Sequence, residues 1–119
     1  MLLVQMIILF QISMLNQNLK QLFFQFIKQK ISDLLHEAAE THHAVYRLTD
    51  GDDPDWASWY AYWLLNLSEL PELLGKKPVR SHLVHTLVVY DHDFVSTKME
   101  GKWEDYYADR LLKDLKDFV

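Results

Sequence analysis

The chain has 119 residues, of which 50% are hydrophobic, 13% aromatic and 24% charged, and its formal net charge is −5. This length allows one domain but not two independent cores, and the apolar content excludes a disordered chain. The lack of cysteine excludes disulfides, thiolate metal sites and a cysteine nucleophile. The chain is acidic, and its only cluster of basic residues is the short group of Lys76, Lys77 and Arg80, so it is a poor partner for nucleic acid. We therefore expect one cytoplasmic globular domain.

The composition changes at about residue 30. All six glutamines precede residue 31, whereas all seventeen acidic residues follow it. The first thirty residues carry a charge of +3, which leaves −8 for the remainder. Such a shift predicts a boundary between an apolar, glutamine-rich helical extension at 1–30 and a helical domain at 31–119.

The extension at 1–30 lacks the pattern of a membrane span or of a secretory signal. Its longest unbroken apolar run, Met6 to Phe10, is five residues, whereas a span needs about 20. Its lysines follow the apolar run, whereas a signal has basic residues before it. We expect no membrane span, and three interpretations stay open: a helix packed on the domain, an amphipathic interfacial anchor, or an upstream extension from a mis-assigned start.

The first predicted helix of the domain begins at Ser32, a residue type that favours the N-cap, and ends near Leu48. Gly51 can take the left-handed conformation that stops a helix. Asp53 and Pro54 would then supply a cap and a first-turn proline for the next helix.

Helical spacing continues through the rest of the chain. Residues 56–67 carry an aromatic stripe and are apolar all round, which predicts a nearly enclosed helix. Residues 68–75 indicate a short helical turn closed by Gly75. Residues 79–94 favour a helix, although their β-branched valines leave a strand open, and 102–118 predict the last helix. The chain is therefore expected to be all-α, a compact bundle of four to five helices.

An aromatic motif occurs twice in the chain at an offset of 47 residues. The first copy is Trp56-x-x-Trp59-Tyr60-Ala61 and the second is Trp103-x-x-Tyr106-Tyr107-Ala108. One hypothesis is that two pseudo-repeated helical hairpins pack about a pseudo-twofold axis. The alternative is that any inward-facing helix of a small bundle needs such residues. We predict that these aromatic rings belong to the core rather than to a ligand platform, because each ring can bury a large apolar area.

Six histidines raise the hypothesis of a metal site. Glu40 and His43 have the Glu-x-x-His spacing that di-iron bundles use, although the chain has no second such pair. His85 could add an imidazole from another helix, which gives the candidate ligands Glu40, His43 and His85. In the alternative interpretation His43 or His85 is a hydrogen-bonded interfacial residue and three histidines are solvated, namely His36, His42 and His82.

The run from His36 to His43, which reads His-Glu-Ala-Ala-Glu-Thr-His-His, is followed by Asp50-Gly51-x-Asp53-Pro54-Asp55-Trp56-Ala57-x-Trp59-Tyr60-Ala61. This pattern resembles a small family of uncharacterised bacterial all-helical proteins. The likeness covers about Ile31 to Leu115 and leaves the first thirty residues outside. It supports the predicted boundary, and it implies no activity and no catalytic residue.

Two functional hypotheses follow from the sequence. The first is a module for protein interaction or self-association, because the aromatic content exceeds what so small a core can be expected to hold. The second is a metal- or small-ligand-binding enzyme built on the His/Glu cluster.

Overall fold

The chain forms five α-helices and no strand within the residues that the computed structural model describes, 2–47 and 53–115. The helices are α1 (Leu2–Arg47), α2 (Trp56–Asn66), α3 (Leu70–Leu74), α4 (Arg80–Ser96) and α5 (Trp103–Leu115). The predicted all-α bundle is confirmed, and the valine-rich segment is helical. Gly51 and residues 116–118 of the predicted last helix lie outside the described ranges.

Helix α1 runs through the composition change at residue 30 without a break. The first glycine of the chain is Gly51 and the first proline is Pro54, so no residue of α1 removes a helical hydrogen bond or frees the backbone. The prediction that a helix starts at Ser32 is therefore wrong. Ser32 is buried in the middle of α1, where its Oγ donates a hydrogen bond to Asp105 Oδ1 at 2.7 Å.

Helix α1 packs into the core of the bundle from Ile27 onward. Ile27, Ile31, Leu35 and Ala38 are buried, and their spacing of four, four and three residues places them on one stripe of the helix. Phe24 packs against the core from the preceding turn. The part of α1 that packs therefore starts a few residues before the predicted boundary.

Helix α2 is nearly enclosed, as its apolar pattern predicts. Leu64 and Ala61 are fully buried, and Trp63 retains only 9% of its surface. Ala108 is the residue of α5 equivalent to Ala61 in the repeated motif, and it is also fully buried. Small side chains at these two positions allow neighbouring helices to approach closely.

The helices pack in a reciprocal pattern. Helix α1 contacts both α2 and α5, and α4 also contacts both α2 and α5. If α1–α2 and α4–α5 are taken as two hairpins, the first helix of each packs on the second helix of the other. A twofold-related pair produces such an exchange, so the packing agrees with the hypothesis of two pseudo-repeated hairpins.

The N-terminal half of α1 extends away from the bundle. Residues 2–23 are all exposed, and the molecule measures 73 × 31 × 22 Å as a result. Within the described part of the chain, one helical segment, Leu2–Val45, is long and apolar enough to cross a membrane, and the apolar window in it has a mean hydropathy of 1.4 with none of it buried. This segment is compatible with a membrane protein and with a soluble protein.

Candidate functional site

The three predicted metal ligands are all exposed. Glu40 and His43 border a shallow depression on α1, together with two alanines, and His85 is not part of its lining. Among all the residues that the structure describes, no group of three His, Asp or Glu side chains could hold a metal ion. The geometry therefore gives no support to the ligand set of Glu40, His43 and His85.

Glu40 instead belongs to a small ionic network around His36. The His36 Nε2 atom lies 3.0 Å from Glu40 Oε1, and Nδ1 lies 3.2 Å from Glu104 Oε2. The hydrogen bond to Glu104 is the main reason why the pKa of His36 is raised above its ordinary value. The network links α1 to the first turn of α5 at the surface of the bundle.

His42, which the alternative interpretation places in solvent, is instead largely buried. Its Nε2 atom lies 2.9 Å from Asp53 Oδ2, and the two side chains are 17% and 8% exposed. The imidazole also contacts Trp59 and Tyr60, at ring-centroid distances of 5.0 and 5.1 Å. A largely buried polar pair that also packs against aromatic rings has a fixed orientation.

The local structure before α2 places Asp53 beside His42. Asp53 does not cap α2 as predicted, because α2 begins at Trp56 with Asp55 in the N-cap position and no side-chain cap. The Asp53 Oδ1 atom accepts a hydrogen bond from the backbone N–H of Asp55 at 3.1 Å, a local turn that Asp favours. The other carboxylate oxygen is thereby left to meet His42.

His42 and Asp53 form one wall of a cavity of about 390 Å³, which we call the aromatic cavity. This volume falls within the range of small-molecule sites. The lining comes from α1, α2, α4, α5 and the turn before α2, and consists of His42, Asp53, Trp56, Tyr60, Asp91, Trp103 and Tyr107.

Both copies of the repeated motif contribute equivalent rings to the aromatic cavity. Trp56 and Tyr60 make an edge-to-face contact with an interplanar angle of 71°, and Trp103 and Tyr107 make the same contact at 72°. The two pairs are 47 residues apart in sequence. The aromatic cavity therefore lies where the two hairpins meet.

The tyrosines of the aromatic cavity are held in the neutral form. Burial, followed by the negative charge of Asp91, raises the pKa of Tyr107, whose hydroxyl donates a hydrogen bond to Asp91 Oδ1 at 3.3 Å. Burial, followed by the charges of Glu104 and Asp53, also raises the pKa of Tyr60. Each hydroxyl is therefore a hydrogen-bonding group and not an anion at neutral pH.

The predicted core assignment of the aromatic residues holds for only part of the stripe. Trp63 and Tyr107 are buried, whereas Trp56, Tyr60 and Trp103 pack against the core but are only partly buried. These three rings and Tyr107 line the aromatic cavity. Helical spacing shows that a residue faces inward, but it does not show whether a neighbouring helix fills the space in front of it.

Sequence reasoning missed His42 and Asp53 as residues of this cavity. His42 and Asp53 do stand within the run that resembles the bacterial family, and this was the one signal that could have indicated them. The chain has no significant match to a family model, a curated protein or a solved structure. Its resemblance to that family therefore stays a prediction.

Proposed function

We propose that this domain binds a small organic molecule in the aromatic cavity. The observation that carries the proposal is the lining itself: four partly or fully buried rings surround a preformed space, and a fixed His42–Asp53 pair stands in its wall. Ligand sites in proteins combine these features, an apolar lining and a few polar groups that set orientation.

The chemistry of the lining supports binding more directly than catalysis. Trp56, Trp103 and the two tyrosines offer flat apolar surfaces to a ligand, while Asp91 adds a polar group to the lining. Each carboxylate of the cavity already has a partner in the protein, Asp53 with His42 and Asp91 with Tyr107. Carboxylates that are fixed by such partners are suited to recognising a ligand. The binding proposal does not require them to transfer protons.

The proposal can be tested by adding a set of small organic compounds to the ¹⁵N-labelled full chain. We expect some of these compounds to shift the indole N–H signals of Trp56 and Trp103 in ¹H–¹⁵N spectra. The compound set contains small cationic, neutral and anionic organic molecules. Trp103→Leu should weaken binding by at least about tenfold, because it removes one wall of the cavity. Tyr62→Leu is the control, since Tyr62 is an exposed aromatic residue on α2 that does not line the cavity. If no compound in the set shifts either signal, the proposal is wrong.

A second candidate function, attachment to a lipid bilayer, is supported by the exposed stretch of α1. Met6 to Phe10 are five consecutive exposed apolar residues, and five consecutive residues cover every side of a helix of 3.6 residues per turn. A helix that is apolar all round suits lipid better than a one-sided protein interface. Residues 2–19 carry no charge, and Lys20 follows directly at the end of this uncharged stretch, where lipid headgroups would lie.

Flotation with vesicles of phosphatidylcholine and phosphatidylglycerol tests the bilayer proposal. The full chain should float with the vesicles, and Leu9→Lys with Phe10→Lys should reduce its partitioning by more than about a hundredfold, because each lysine is costly in the bilayer centre. The control is Leu67→Lys with Val95→Lys, two residues of the bundle that are 63% and 64% exposed. A chain that stays with the aqueous phase as an oligomer would contradict lipid attachment and would favour the interaction or self-association module in a cytoplasmic protein.

A further inference from the structure

The aromatic cavity has a negative lining. Asp53 and Asp91 contribute two carboxylates, and the lining residues that the structure describes include neither lysine nor arginine. A protonated His42 would offset only one of the two charges. Glu104, which is paired with His36, lies close enough that its charge, after burial, is one of the causes of the raised pKa of Tyr60. An anionic ligand would meet repulsion here, whereas a cation would be attracted.

The rings of the aromatic cavity also favour a positively charged ligand. The face of an indole or a phenol ring carries negative electrostatic potential, so a cation near it is stabilised, most of all by tryptophan and in a site shielded from water. Trp56 and Trp103 supply one indole from each hairpin, and a tyrosine follows each of them one helical turn later.

A neighbouring cluster of the same bundle already holds a cation in this way. The Arg110 guanidinium lies 4.8 Å from the ring centroid of Tyr90 and 5.7 Å from that of Tyr106. Its Nη1 and Nε atoms lie 3.8 Å from Asp93 and 3.4 Å from Asp114. Tyrosine rings together with aspartates form a cation site at this cluster, where the cation is a side chain of the protein.

We propose that the aromatic cavity binds a small organic cation, a quaternary ammonium or a methylated amine, among its indole and phenol rings, with Asp53 and Asp91 balancing the charge. This inference rests on the ligand-binding function proposed above and specifies the ligand class. A methylated ammonium suits the cavity better than a metal ion or a primary amine does, because its charge is spread over apolar methyl groups that the rings can contact.

The preference of the cavity for a positive charge can be tested with two compounds that have the same shape. Choline carries a quaternary ammonium, and 3,3-dimethylbutan-1-ol has the same outline with a neutral carbon in its place. Titrated into the labelled full chain, choline should shift the indole signals of Trp56 and Trp103 with a Kd at least about tenfold lower than that of the alcohol. Asp91→Asn should weaken choline several-fold and leave the alcohol unchanged. Asp93→Asn, on the same helix but outside the lining, should change neither.

The possible results separate this inference from the function on which it rests. If the alcohol binds as tightly as choline, or if neutral or anionic members of the compound set bind while choline does not, the cavity binds ligands but the cation inference is wrong. If no compound binds at all, the ligand-binding proposal fails and the cation inference fails with it.

Discussion

Replacing Trp63 by alanine is expected to lower the free energy of unfolding by about 3–5 kcal/mol. Trp63 is 9% exposed and lies on α2, the most enclosed helix of the bundle, beside the buried Leu64 and Leu65. Removal of the indole takes away a large apolar surface and leaves a space that the surrounding helices can close only in part. Urea unfolding followed by circular dichroism measures the loss.

Tyr62 provides the matched control for Trp63. It is the adjacent aromatic residue on α2, but it is 52% exposed, so Tyr62→Ala should change the free energy of unfolding by only about 0.5 kcal/mol. A loss below about 1 kcal/mol for Trp63→Ala would mean that the indole is accessible to solvent and that the packing of α2 differs from the one described.

Asp53→Ala is expected to cost about 2–3 kcal/mol, because hydrogen bonds to a charged group contribute more than neutral ones and the partners stay partly buried without them. The carboxylate is 8% exposed and accepts hydrogen bonds from His42 Nε2 and from the backbone N–H of Asp55. Asp53→Asn keeps acceptor and donor atoms in the same place and should lose less. Thermal and urea unfolding of the three proteins give the comparison.

Asp55→Ala is the control for Asp53→Ala. Asp55 lies two residues later and is exposed, so its replacement should cost less than about 1 kcal/mol, the scale of a charge at a helix N-terminus. In ¹⁵N spectra, the imidazole signals of His42 should move in Asp53→Ala and stay in place in Asp55→Ala. Equal stability losses for the two variants would show that the His42–Asp53 contact does not stabilise the domain.

The helices could be predicted from the sequence because their signals are local. Leu83, Leu87 and Tyr90 recur at helical intervals and are buried in α4, and their burial against other helices outweighs the weak preference of the neighbouring valines for strands. Ser32 shows the converse. Its residue type favours an N-cap, but no glycine or proline precedes it, so α1 continues and the hydroxyl bonds to Asp105.

The candidate site could not be predicted because it depends on which neighbour lies opposite each side chain. His42 and His43 are adjacent in sequence, yet a rotation of about 100° along the helix turns one toward Asp53 and leaves the other exposed. The three-residue spacing of Glu40 and His43 correctly predicts that both lie on the same face of one helix. It contains no information about a partner helix, and His85 does not line the depression that Glu40 and His43 border.

The unpacked half of α1 determines how much of the chain takes part in cooperative unfolding. Residues 2–23 are exposed in the folded structure, so melting the bundle uncovers almost no new apolar surface from them. The heat capacity change of unfolding, about 12–15 cal/mol/K per residue in ordinary domains, should therefore correspond to a shorter chain than the full 119 residues. Backbone amides of this stretch should exchange with deuterium far faster than those of α2 or α4, although all three are helical, because a helix that packs against nothing opens without the rest of the fold.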